Sequence, residues 1–376
     1  MINQKRLLTE FCELTRIDSP TRNERKIADR LKTRLVNLGM TVNEDNAGQA
    51  IGGNCGNVLA YLKGSLTAAP VVLLSAHMDT VPPCLGIEPV LNNGLISSAG
   101  ATVLGADDKS GIAPILEALQ VLQEQQIPHG DIQVIFSIAE EGGLNGSGNL
   151  DRSLLKADFG FVLDSGGVPG EIILKAPGQD RIKVTILGKA SHAGVAPEDG
   201  ISAIVVAARA ISGMKTGRID EETTSNIGTI HGGSSTNIVA DRVEILCEAR
   251  SHNLKKLETI TSLMCESFRH SAEESGAQAV IDVKRAYAPF HLPEDSSVAL
   301  LAAKAAQAAT LEPIFSATGG GSDANHFNRY GVPCVVLGTG MQKFHTTDEF
   351  IKEEDLYNSA RFVLEIIKAA ADTTKR

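Results

Sequence analysis

Five separated stretches of this 376-residue chain end on, or lead towards, side chains that bind metals or move protons. Val71-Val72-Leu73-Leu74 leads into His77-Met78-Asp79. Asp131 to Phe136 leads into Glu140-Glu141, Phe159 to Leu163 into Asp164, and Cys334-Val335-Val336-Leu337 towards His345. A further acidic pair, Asp107-Asp108, stands just before an apolar helical stretch. A lone acid at a strand end usually meets solvent or caps a helix. Five segments delivering only imidazole and carboxylate to one place point instead to a metal centre.

The spacing supplies further chemistry. Residues two apart on a strand share a side, so Asp79 is placed to accept a hydrogen bond from the His77 ring nitrogen that faces away from the metal. Of Asp107 and Asp108 only one need reach a cation, since carboxylates are also favoured at a helix start by the helix dipole. Neighbouring residues at a strand end point differently, so one of Glu140 and Glu141 binds metal while the other faces the water. With Asp107, Glu141 and Asp164 as ligands and His77 and His345 neutral, the protein brings three negative charges. A bridging hydroxide makes four, and two divalent cations balance them. Shared bridges hold such pairs roughly 3.5–4 Å apart in hydrolytic sites. Imidazole and carboxylate without thiolate suit zinc, and cobalt or manganese also fits.

The elements that must position these groups read as α/β. Short Val/Ile/Leu runs between helical patterns are buried strands of a parallel sheet, and ligands gather beyond the carboxyl ends of such strands. Thr21-Arg22-Asn23-Glu24 has the form of a capping box, with Ile27, Leu31, Leu35 and Leu38 following at helical spacing until Gly39. Ile112, Ile115, Leu116, Leu119 and Leu122 mark a helix after the Asp107-Asp108 pair, and a last helix runs from about 353 to 370. Between the breaks Ala176-Pro177-Gly178 and Leu292-Pro293-Glu294 the pattern changes. Strands are expected at 181–187, 224–231, 238–250 and 279–287, with helices at 201–214 and 254–275. This βαββαβ order is that of ferredoxin-like domains. Residues 178–293 are therefore expected to form an inserted α+β domain, with 1–177 and 294–376 forming the metal-binding one.

Composition narrows the partners. A net charge of −10 with no basic run argues against nucleic acid, and 43% hydrophobic residues are ample for two cores. No stretch is apolar enough to span a bilayer, and Met1 to Leu7 lacks a signal-like run. The expected setting is cytoplasmic, away from membranes. Cys12, Cys55, Cys84, Cys247, Cys265 and Cys334 show no Cys-x-x-Cys spacing and read as buried free thiols.

Taken together, His77-Met78-Asp79-Thr80, Gly105-Ala106-Asp107-Asp108-Lys109-Ser110-Gly111, Glu140-Glu141-Gly142, Asp164 and His345 resemble, in order and spacing, the metallopeptidase family of peptidase T, carboxypeptidase G and aminoacylase. The likeness spans nearly the whole chain and is nearest to the peptidase T-like branch. It implies a zinc-exopeptidase-type mixed sheet sandwiched by helices, with the insert as a lid and dimerisation domain. It also implies roles: Asp107 bridging two metals, His77 and Asp164 completing one shell, Glu141 and His345 the other, and Glu140 as general base.

In the insert, Gly188-Lys189-Ala190-Ser191-His192-Ala193-Gly194 resembles the family's lid loop, which implies that His192 reaches the partner subunit's active site as an oxyanion donor. Asn237, in Gly232-Gly233-Ser234-Ser235-Thr236-Asn237, and Arg250 match positions that hold substrate in relatives. An Arg fork suits a carboxylate. Gly320 and Ser322 lie in the loop Thr318 to Asn325, read as a tight turn beside the substrate pocket, where Gly319 replaces an arginine common in relatives. The expected activity is hydrolysis of an amide at the end of a short peptide, in a homodimer. Tripeptide aminopeptidase action is favoured, with N-acyl-amino-acid amidohydrolase or carboxypeptidase action as the enzymatic alternative and a non-catalytic metal-binding scaffold as the alternative of another class.

Overall fold

The structure, a computed structural model, describes residues 1–373. It divides into two compact units: Met1–Lys175 with the chain from His291 onward, and Ala176–Phe290.

The first unit is built on a mixed sheet whose centre is four mutually parallel strands, β1 (Val72–His77), β2 (Ile132–Ser137), β3 (Phe159–Ser165) and β4 (Cys334–Gly338), ordered β2-β1-β3-β4. Every residue of β1, β2 and β4 is buried. A strand covered on both faces must be largely apolar, as these are, with Ser75 and Gln133 as buried polar residues inside the runs. Antiparallel strands Val58–Leu62 beside β2 and Glu171–Ala176 beside β4 extend it on either side.

Three helices set the site. Helix α1 (Arg25–Asn37) buries Ile27, Ala28, Leu31 and Leu35 on one stripe. Helix α2 (Ala106–Glu124) is buried almost all round, so it runs through the core, against β1 and β3. Its close approach needs Gly111: a Cβ there would lie 2.4 Å from the Leu163 carbonyl oxygen. Helix α3 (Glu353–Ala371) packs on α2 through a face that includes Leu356, Phe362, Val363 and Ile366. Packed between α3 and the sheet, α2 brings its N-terminal Asp107 beside the strand ends.

The capping-box reading of Thr21 and Glu24 is corrected. Glu24 is the N-cap residue of α1, but no side chain caps the helix. The Thr21 hydroxyl donates to Asp79 Oδ2 (2.8 Å), and the Glu24 carboxyl accepts from the N–H groups of Arg22 and Ala139. Glu24 is drawn inward to the Ala139 N–H of a buried turn, and Thr21 is drawn to the Asp79 carboxylate, which serves the same turn.

The second unit has strands Gly178–Leu187, Thr223–Gly232, Arg242–Ser251 and Gln278–Tyr287 with helices Ala203–Ser212 and Leu254–Glu274, and an added short strand Gly217–Asp220. Its sheet is wholly antiparallel, ordered 217–220, 223–232, 242–251, 178–187, 278–287. Without the added strand this is the split βαββαβ sheet. Alternate residues of Arg242–Ser251 are buried, the pattern of a sheet with a single covered face. The strand expected from residue 238 starts at Arg242. Ile238 instead bridges to His192, because the Gly232-Gly233 break turns the chain back towards the 189–193 loop.

Candidate metal centre

The carboxyl ends of the parallel strands bring the expected ligands together. His77 closes β1, Asp164 is the penultimate residue of β3, Glu140-Glu141 follow β2, and His345 follows β4 in a left-handed conformation (φ 64°). Two groups of donor atoms result, His77 with Asp107 and Asp164, and Asp107 with Glu141 and His345, each with its atoms within 4.8 Å of one another.

Asp107 belongs to both. Its Oδ1 lies 2.9 Å from His77 Nε2 and its Oδ2 3.2 Å from His345 Nε2. His345 Nε2 is also 2.9 Å from Glu141 Oε1, and His77 Nε2 is 3.8 Å from Asp164 Oδ1. The His77 ring is oriented from behind: Nδ1 lies 3.0 Å from the backbone carbonyl of Asp79 and 3.4 Å from its carboxylate. The carbonyl is therefore the nearer acceptor, and Nε2 is left to face the acids. The Asp79 carboxylate, beside His77 as expected, also accepts from the N–H groups of Glu140 (3.0 Å) and Glu141 (3.2 Å).

Asp107 and Asp108 take separate tasks because both leave helical φ/ψ at the start of α2. Asp108 turns to the N–H groups of His77 and Gly111, each at 3.1 Å. It holds backbone, and Asp107 faces the histidines.

Electrostatics decide what the cluster can hold. Burial, then the charge of Asp164, pushes Glu140 well above the carboxylate range. Burial likewise raises Asp164 and Glu141. Asp107 is held below its usual value against the cost of burial by hydrogen bonds from His345 and His77, and hydrogen bonds to Asp107 and Glu141 in turn push His345 up to about 10. A buried ion without a counter-charge costs several kcal/mol. Oxygen and imidazole donors arranged around two centres with one shared carboxylate fit two divalent cations, which would relieve that cost. Among the described residues no thiol joins either group.

Several supporting residues have little or no signal in the sequence. Glu349, buried, accepts from Leu104 and Gly105 (both 2.7 Å) and from Asp107 N–H (2.9 Å), fixing the approach to α2. Lys109 is buried and donates to Ser19 Oγ and the Met78 carbonyl (2.9 Å each) and to Thr80 Oγ1. Asp323, buried, accepts from Ser137 and from Ser147 (2.5 Å). Lys109 stands in the polar start of α2, inside the Gly105–Gly111 motif, and nothing in the sequence marks what it holds. Glu349 sits 242 residues from Asp107, and no local pattern connects them.

The other expected residues fall as follows. In the first unit, Gly320 N–H donates to Thr318 Oγ1 (3.2 Å), while the buried Ser322 accepts from Ala324 N–H, which ties its side chain to the start of a short helix. In the second unit, His192 and Asn237 occupy adjoining loops, joined by Ala193 N–H to the Asn237 carbonyl (3.0 Å). The Arg250 fork is paired with Glu248 at 3.0 and 3.2 Å.

Among known proteins, residues 73–369 match peptidase family M20/M25/M40. The chain is 44% identical over 371 residues to the uncharacterized protein YqjE of Bacillus subtilis, covering 99% of this chain and 100% of that one. The crystal structure of a tripeptidase from Staphylococcus aureus is similar with a TM-score of 0.95 at 43% identity, covering 99% of this chain and 100% of that chain. That of aminopeptidase PepT from Bacillus cereus is similar with a TM-score of 0.90 at 43% identity and the same coverage.

Proposed function

The chain belongs to peptidase family M20/M25/M40, and from that premise we propose that it is a two-metal exopeptidase that removes the N-terminal residue of tripeptides. The observation that carries the reading is Asp107, with one oxygen facing His77 and the other facing His345, beside the buried Glu140. The likeness to a tripeptidase and to an aminopeptidase at 43% identity supports the choice of substrate.

His77, Asp107 and Asp164 would hold one cation, and Asp107, Glu141 and His345 the other. When bound, such a pair would supply Lewis-acid chemistry, polarising the scissile carbonyl and lowering the pKa of the attacking water. The donor set favours zinc, with cobalt or manganese as substitutes. Glu140 takes the proton from the attacking water on its carboxylate and returns it to the leaving amine. Asp79 holds that carboxylate in place through the backbone of the turn and, by its own carbonyl, the orientation of His77. His192 donates to the oxyanion from the partner subunit of a homodimer formed through the second unit, which acts as the lid. Asn237 and Arg250 from the lid and Gly320 and Ser322 from the first unit bind the peptide backbone and its carboxylate. Glycine at 319 leaves that carboxylate with one cation fewer than in relatives with arginine there. Six unpaired cysteines fit a cytoplasmic setting, and no helix among the described residues is long and apolar enough to cross a membrane.

Product analysis on matched free and N-acetylated tripeptides tests the reading. Zinc-loaded enzyme is expected to release the N-terminal residue of the free peptides and to leave the acetylated ones intact. Release of the C-terminal residue instead would make it a carboxypeptidase. Turnover that depends on the acetyl group would make it a deacylase, and two bound metals with no turnover on any amide would leave a scaffold.

A further inference from the structure

Four successive backbone N–H groups pass through the turn that carries Glu140 and Glu141, and each is taken by a side chain from a distant part of the chain. Asn57 Oδ1 accepts from Ile138 (3.1 Å), Glu24 Oε1 from Ala139 (2.9 Å), and Asp79 from Glu140 (3.0 Å) and Glu141 (3.2 Å). The turn needs these acceptors because it departs from regular structure. Ala139 has φ 48° and Leu144 φ 57°, so its N–H groups point away from any strand partner. Buried N–H groups must find acceptors, and a turn held only by its own backbone would leave these unmet.

Two of the three clamps have evident second ties: Asp79 adjoins His77, and Asn57 is locked to Asp45. Glu24 is different. It is fully buried, its Oε1 is shared between Arg22 N–H (2.8 Å) and Ala139 N–H, and its Oε2 has no hydrogen-bond partner. A helix start does not call for this, since a short polar side chain caps a helix while facing solvent. A long acid pushed into the interior with one oxygen unused is a costly way to begin α1, and among the described residues its one long-range hydrogen bond is with the residue before Glu140.

We propose that Glu24 is a positioning residue for the hydrolysis: by accepting from Ala139 N–H it fixes the turn that aims the Glu140 carboxylate. The proposal rests on the reading of Glu140 as the base. Glu24 touches neither water nor substrate and works through the turn alone, and the part it supplies is an acceptor oxygen, not a charge. Supporting groups of this kind are typically worth 10- to 100-fold in activity when removed.

The test uses the full-length zinc-loaded enzyme with Glu24→Ala, the space-filling Glu24→Leu and the acceptor-retaining Glu24→Gln. Glu24→Ala and Glu24→Leu are expected to lower kcat roughly 10- to 100-fold with KM and zinc content unchanged. Amide hydrogen exchange at residues 139–141 should quicken in both, while the β2 amides stay protected. Glu24→Gln should keep both kcat and slow exchange, because its carbonyl oxygen replaces Oε1. The proposal is overturned by unchanged kcat in a folded, loaded Ala or Leu variant, by a Gln variant as impaired as Ala, or by failure of both Ala and Leu to fold, which would make Glu24 a residue of the fold alone. Glu140→Ala in the same assay separates the two readings. If it stays active the base reading falls and this one with it; if it is inactive while Glu24→Ala is not, only the positioning role falls.

Discussion

In the fully zinc-loaded enzyme, replacing Glu140 with alanine lowers turnover roughly 10²- to 10⁴-fold, the range that a positioned base supplies, and leaves both metals bound. The two halves of that result follow from different features. Glu140 belongs to neither donor group, so its loss removes no ligand. It is buried next to Glu141, on a turn whose N–H groups are clamped by Asp79, so its carboxylate is held in one place. Metal content and steady-state kinetics on a cleaved tripeptide check both halves at once. A loaded variant that turns over as fast as the parent refutes the role of Glu140. A variant that loses metal would move Glu140 among the ligands.

Replacing His192 with alanine lowers kcat roughly 10²- to 10³-fold, the usual loss when one oxyanion donor is removed. The physical basis is that the tetrahedral intermediate carries charge that the peptide does not, so a donor aimed at it acts on kcat more than on KM. His192 lies in the second unit with its loop held by Asn237, away in sequence from every metal ligand. If it serves the partner's site, a dimer of a His192→Ala subunit and a Glu140→Ala subunit contains one site with both groups intact. Random mixing of the two inactive variants should then recover up to about a quarter of parental activity. No recovery despite verified subunit exchange would place His192 within its own subunit's site or outside catalysis.

The parallel strands were legible because burial on both faces demands largely apolar runs, and β1, β2 and β4 have them, with Ser75 and Gln133 as the polar residues inside. The residues at their ends were legible because a sheet edge gathers ligands, so His77, Glu140-Glu141 and Asp164 could be placed together without knowing their partners. His345 was harder, since it stands beyond β4 after an irregular loop; the Cys334–Leu337 run pointed towards it, and the family likeness assigned it to the cation it shares with Glu141. The supporting shell was illegible for a single reason. Glu349, Glu24 and Asn57 act on backbone N–H groups of segments far away in sequence, and a side chain that serves someone else's backbone leaves no periodicity. Thr21 and Glu24 show how this misleads: their spacing matches a capping box, yet Glu24 accepts from the distant Ala139 N–H and the Thr21 hydroxyl donates to Asp79. In the second unit the strand order was readable from alternation, whereas the start of Arg242–Ser251 was not, because Ile238 is apolar and partly exposed in a loop that pairs with His192.

The central claim is that one carboxylate, Asp107, is shared by two cations. Anomalous scattering at the zinc edge, from crystals grown with zinc in excess, measures it directly. Two peaks are expected roughly 3.5–4 Å apart, one enclosed by His77, Asp107 and Asp164 and the other by Asp107, Glu141 and His345. A single peak, or two of which only one touches Asp107, would contradict it.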